Sequence, residues 1–172
     1  MKKQKGFSLI ELLIVVAIIL IIAAIAIPNL LRARISANEA SAVGSMRTIV
    51  TGEISYQTAN WAVGAIPVGF SVDLKSLGGN GGACLTGGAA TSTQTCLIDD
   101  VLAGATTAAS PKSGYFFVYA PVANGGTNTG FTVNGNPATP GQTGSRYFFV
   151  DQTGVIRSNP ATAAAVTDNP IQ

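Results

Sequence analysis

Sixteen consecutive residues, Leu12 to Ile27, carry no polar side chain, and a single carboxylate, Glu11, stands directly at their head. No other stretch of the 172-residue chain restricts its fold as strongly. Counted from Phe7 to Ile27 the segment is 21 residues. As an α-helix it spans about 31 Å, close to the hydrocarbon thickness of about 30 Å. Lys2, Lys3 and Lys5 precede it and Arg32 is the first charge after Glu11, so the positive-inside rule predicts a cytoplasmic N-terminus. Pro28 has no amide hydrogen to offer the carbonyl of Ala24, which predicts a helix kink at that point.

Three readings fit this segment. It is a secretory signal peptide cut after Ala24-Ile25-Ala26, a plain signal anchor, or a segment cut on its cytoplasmic side and retained. Glu11 separates them. A carboxylate at mid-bilayer costs about 2.5–3.5 kcal/mol, less near the interface. An intramembrane acid ordinarily has a partner. A cut between Gly6 and Phe7 creates an α-amine on Phe7, and the same amine in a neighbouring chain would pair with Glu11 and set an axial register between subunits.

Lys5-Gly6-Phe7-Ser8-Leu9-Ile10-Glu11-Leu12-Leu13, with its apolar continuation to Pro28 and Asn29, resembles the class III leader and N-terminus of type IV pilins and their pseudopilin relatives. The six-residue leader is similar to the type IVa kind. The resemblance implies cleavage after Gly6 by a prepilin peptidase, N-methylation of Phe7, and packing of the helices into the core of a filament, with Glu11 as the register-setting acid. It also implies residence in the bacterial inner membrane before assembly, in contact with lipid and an assembly platform, and in an extracellular pilus afterwards.

Beyond Pro28 the helical pattern continues. Leu31, Ile35, Ala42, Met46, Ile49, Val50 and Ile54 recur at three- and four-residue spacing, one apolar face. Arg32, Glu39, Arg47 and Glu53 fall mainly off it, and Met46 and Tyr56 read as core and surface. The helix is expected to end near Asn60. Residues 62–113 form a Gly-rich connecting loop in which Cys84 and Cys96 are expected to be a disulfide, as suits an oxidising compartment. Asp73–Leu77 and Leu97–Leu102 each predict a short helical turn whose leucines anchor the loop.

Tyr115–Tyr119, Phe131–Val133, Arg146–Val150 and Val155–Arg157 predict three or four antiparallel strands within residues 114–158. One face should pack on the Ile35–Ile54 stripe; the other is left to the cysteine loop or a neighbouring subunit. Residues 159–172 read as an extended tail. The expected class is α+β: a long helix, membrane-spanning over residues 7–28 and amphipathic over 29–61, packed on a small meander. That is also the architecture the pilin resemblance implies. Many type IVa pilins close a C-terminal loop with a disulfide, and this chain has no Cys after Cys96.

The composition is poor in groups that do chemistry. Histidine is absent and only two cysteines are present, which removes the commonest general base and a Cys-only zinc site. Gly78-Gly79-Asn80-Gly81-Gly82 lacks the third glycine of a dinucleotide fingerprint, and Asp99-Asp100 alone is a weak calcium signal. Without Lys2, Lys3 and Lys5, seven basic side chains face eight acidic ones, a net −1, which leaves no footprint for nucleic acid. The reading is a non-enzymatic structural subunit without cofactor or metal. It polymerises as a homo-oligomer into a pilus for adhesion, twitching motility or DNA uptake. A pseudopilin of a type II secretion system is the alternative.

Overall fold

The structure is a computed structural model that describes residues 8–63, 66–79 and 90–171. Gly6, Phe7 and Cys84 lie outside the described residues, and with them the cleavage site, the methylation site and one half of the expected disulfide. The chain forms two compact units, Met1–Arg34 and Ile35–Gln172. One helix element, α1 (Leu9–Thr58), contributes to both.

In the first unit Ser8 precedes the helix and Glu11 is its third residue, so Ser8-Leu9-Ile10-Glu11 has the spacing of a capping box. The Ser8 amide donates to Glu11 Oε2 at 2.9 Å. The helix is assigned without interruption through Pro28. Its β-branched residues are mediocre helix formers in water. In hydrocarbon a lone segment must satisfy its backbone groups internally, which makes helix the available choice.

In the second unit α1 buries Glu39, Ala42, Ser45, Met46, Ile49, Gly52, Glu53 and Tyr56. The spacing is that of one helix face, rotated from the stripe expected from sequence. Glu39 and Glu53, expected off that face, lie on it, while Leu31 and Ile54 are half-exposed. Tyr56, expected at the surface, is fully buried and its hydroxyl donates to the Ser92 carbonyl at 2.7 Å. The helix stops where the chain enters the left-handed region at Asn60 (φ 52°), a conformation that asparagine tolerates after a C-terminus.

Two short strands, β1 (Ala62–Val63) and β2 (Ile66–Pro67), pair with each other. A 3₁₀ turn (Leu74–Leu77) is capped by Asp73, and α2 (Asp100–Gly104) by Asp99. These are the two turns expected from sequence, and Leu74, Leu77 and Leu102 are buried. A Cβ added at Gly52 would stand 3.2 Å from Ile98 and 3.7 Å from Leu77. The segments flanking the cysteine loop therefore pack against α1.

The sheet has five antiparallel strands in sequence order: β3 (Tyr115–Asn124), β4 (Thr127–Pro137), β5 (Tyr147–Asp151), β6 (Arg157–Asn159) and β7 (Asn169–Pro170). Its inner face presents Tyr115, Phe117, Phe131, Val133, Phe148 and Val150, all buried. Each fully buried large side chain contributes about 1.5–3 kcal/mol. A Cβ at Gly135 would meet Met46 Sδ and the Phe117 ring at 3.4 Å, so this glycine lies where the helix approaches the sheet most closely.

The other face carries Asn134 and Phe149, which are register partners. Asn134 donates to the Ala164 carbonyl at 2.7 Å, and Ala164 and Phe149 are buried. The segment read from sequence as a tail thus helps to cover that face and supplies the fifth strand.

On the open side of β3, Phe117 N–H donates to the Ala105 carbonyl at 2.7 Å, away from β4. Residues two and four further along face the same way. Pro121 is one of them, paired with Phe131, so its missing amide hydrogen is absent from the open edge and not from the ladder.

Candidate functional site

The first unit exposes its entire apolar surface. From Leu9 to Ile27 every large hydrophobic side chain is at least 46% exposed, and the helix is long and apolar enough to cross a membrane. No core of the unit covers these side chains among the described residues. Glu11 is the acid at the head of this surface. In the isolated chain it caps its own helix through Ser8. A carboxylate has about four lone-pair sites, so capping leaves capacity for a further donor.

In the second unit the two buried glutamates act as clamps at opposite ends of the α1 stripe. Glu39 Oε1 accepts from Ser145 N at 2.9 Å, Ser145 Oγ at 2.7 Å and Arg146 N at 3.2 Å. Its Oε2 accepts from Arg146 Nε at 2.8 Å. Burial pushes the Glu39 carboxyl up, but the Ser145 and Arg146 hydrogen bonds and the guanidinium charge outweigh burial and hold it below the usual glutamate value. Arg146 also stacks over Phe148, 5.6 Å from the ring centre. Asn38 Nδ2 adds a bond to the Thr143 carbonyl at 2.8 Å.

Glu53 sits in a different environment. It is fully buried, accepts from Ser71 N at 3.0 Å, and has its Oε1 at hydrogen-bond distance from the Ser71 hydroxyl. The Tyr119 hydroxyl lies 3.1 Å from Ser71 Oγ. Burial pushes the Glu53 carboxyl above its ordinary value despite these hydrogen bonds. Burial likewise pushes the Tyr119 hydroxyl upward, assisted by the Glu53 charge.

Neither clamp was legible as such in the sequence. The available signal was that Glu39 and Glu53 share the helical phase of Ala42, Met46 and Ile49. Of the residues expected to be functional, the structure describes Glu11, Pro28 and Cys96; Glu11 and Pro28 lie on the same helix and are not brought together, and Cys96 has φ 57°. Among the described residues no group of three or more His, Cys, Asp or Glu could hold a metal. A groove of about 280 Å³ is lined by Arg47, Thr48, Thr51, Gly52, Ser55 and Leu97, without a pair of titratable groups poised for acid–base chemistry.

Residues 1–27 match the family described as Prokaryotic N-terminal methylation motif. The chain is 50% identical over 60 residues to the type IV wide pilus major component PilA4 of Thermus thermophilus, covering 35% of this chain and 46% of that one. It is 43% identical over 54 residues to the type IV major pilin protein PilA of Myxococcus xanthus, covering 31% of this chain and 24% of that one. The matched stretches thus span less than half the length of either relative. No solved structure matches.

Proposed function

We propose, from a methylation motif and pilin relatives that together support a type IV pilin, that this chain is a structural subunit polymerising into a type IV pilus. The observation that carries the reading is the helix of the first unit, apolar and exposed from Leu9 to Ile27 with one acid at its head. Before assembly the bilayer covers that surface, with the N-terminus cytoplasmic. In the filament, copies of the same helix cover it. Adhesion, twitching motility or DNA uptake then belong to the polymer, and the chain itself catalyses nothing.

In this reading a prepilin peptidase cuts after Gly6 and Phe7 is N-methylated. The Phe7 amine of one subunit meets Glu11 of another. The capping bond from Ser8 holds that carboxylate against the helix start and limits its rotamers before the amine arrives. Pro28 supplies a weak point at which α1 bends on packing. Cys84 and Cys96 form a disulfide across the Gly-rich loop, stabilising by a little under ~3 kcal/mol on the chain-entropy account. Mass spectrometry of filaments sheared from cells tests the reading: a chain beginning at N-methyl-Phe7 is expected, and one beginning at Met1 or at Ile27 refutes it.

A further inference from the structure

The clamp at Glu53 poses a problem of counting hydrogens. Ser71 Oγ approaches three oxygens at hydrogen-bond distance: Glu53 Oε1, the Asp73 carbonyl at 3.0 Å and Tyr119 Oη at 3.1 Å. Tyr119 Oη in turn lies 3.0 Å from the Ser71 carbonyl. Each of these four approaches needs a hydrogen, and the two hydroxyls supply one apiece. If Glu53 is ionised, two approaches between oxygens are left without a hydrogen in a buried site. A proton on Glu53 Oε1 supplies the third. It donates to Ser71 Oγ, Ser71 donates to the Asp73 carbonyl, and Tyr119 donates to the Ser71 carbonyl and is shared with Oγ. The Ser71 amide still donates to Glu53 Oε2 at 3.0 Å.

The surroundings favour the same protonation state. The ionisable groups that bear on the site are Tyr56 from α1, Asp73 from the segment before the 3₁₀ turn, and Tyr119 from β3. None of these is a cation. Glu39, on the same helix face, has Arg146 beside it. A buried carboxylate without a cation gives up its charge more cheaply than it keeps it.

We infer that Glu53 is carried as an uncharged carboxylic acid that latches the Ser71–Leu77 segment onto α1, and that ionisation opens this latch. The segment leads directly into the Gly-rich cysteine loop, whose flank is tied to it by Thr95 N–H to the Ser76 carbonyl at 3.0 Å and Leu97 N–H to the Leu77 carbonyl at 2.7 Å. A proton on one helix side chain therefore governs how firmly that loop is held. A folded-state pKa raised above the unfolded value stabilises fully below the unfolded value. That stabilisation is lost as pH rises through the folded value.

The test uses the full-length chain in detergent micelles with the Glu side-chain carboxyl carbons labelled. The Glu53 carbon is expected to titrate above the ordinary glutamate range. Hydrogen exchange at the Ser71 amide, taken as the ratio of wild type to Glu53→Gln at each pH, is expected to rise by up to ~10-fold per pH unit between the ordinary glutamate value and that titration, and to level off above it. Glutamine keeps a donor and an acceptor in place and has nothing to ionise. A Glu53 carbon titrating at or below the ordinary value, or an exchange ratio that stays flat with pH, overturns the inference. The carbon titration needs no variant, so a Glu53→Gln chain that fails to fold leaves it decisive.

Discussion

Replacing Glu39 by alanine and by glutamine should separate what the clamp does for the backbone from what it does for the Arg146 charge. Alanine removes every acceptor. The Arg146 side chain is about half exposed, so its guanidinium turns to water, and a pair that screened is worth about 0–1 kcal/mol. The Ser145 hydroxyl can rotate to another partner. The amides of Ser145 and Arg146 cannot follow; their bonds are part-buried, so each donor left without a partner costs toward the lower end of about 1–3 kcal/mol. The sum places Glu39→Ala at roughly 2–4 kcal/mol destabilised. Glutamine keeps a carbonyl for both amides and turns an NH₂ toward Arg146, so its cost should be near ~1 kcal/mol. Urea unfolding of the full chain in micelles, followed by near-UV circular dichroism of the buried tyrosines, measures both. With a slope of about 1–3 kcal/mol per molar, the alanine midpoint should fall by about 1–2 M. The carboxyl is held below its unfolded value, so its contribution is present above the unfolded pKa. It is lost as pH falls through the folded one, and the gap between wild type and Glu39→Ala should therefore narrow in acid. Equal damage from alanine and glutamine, or a gap unchanged between neutral and acid pH, would refute the reasoning.

The remaining predictions concern the head of the first helix and two glycines. Glu11→Val should leave cleavage intact and impair incorporation beside wild-type subunits, read by the fraction of tagged variant in sheared filaments; normal incorporation would show the register argument to be wrong. Gly144→Ala would drive a methyl into the Tyr115 hydroxyl, which donates to the Arg146 carbonyl at 2.7 Å. The melting midpoint should reflect about 1–3 kcal/mol of overpacking. At Gly44 nothing lies within 4 Å of an added Cβ, so Gly44→Ala in the same assay should be neutral or stabilising by up to ~1 kcal/mol.

The order of elements was readable because each local signal agreed with the fold. The aromatic runs at Tyr115–Tyr119 and Tyr147–Val150 are strands, the leucines of 74–77 and 102 anchor their turns, and the helix stops at Asn60. Two kinds of information were missing. Apolar residues alone give the α1 stripe a phase that leaves out Glu39 and Glu53, because charged side chains are rarely buried. Their partners, Ser145, Arg146, Ser71 and Tyr119, are distant in sequence, so nothing local marked those two carboxyls as satisfied. The end of the chain hides its order for the opposite reason. Ser158–Ile171 is built from Ala, Pro and Asn without periodicity, and its order depends on side chain-to-backbone bonds, such as Arg157 to the Asp168 carbonyl at 2.9 Å. At the N-terminus, Ser8-Leu9-Ile10-Glu11 held a second meaning. The acid proposed to set the register between copies also caps its own helix, and Ser-x-x-Glu is visible in the sequence.

Pro121 bears on how a polymer of such subunits stays soluble. A filament holds many copies of one fold at very high local concentration. An exposed strand edge in every copy would then offer a template for sheets of neighbouring fibres to join. The proline withdraws a donor from that template without weakening the subunit's own ladder. In the proposed filament the helices carry the growth, and lateral fusion of fibres through β3 is discouraged at the level of a single ring nitrogen.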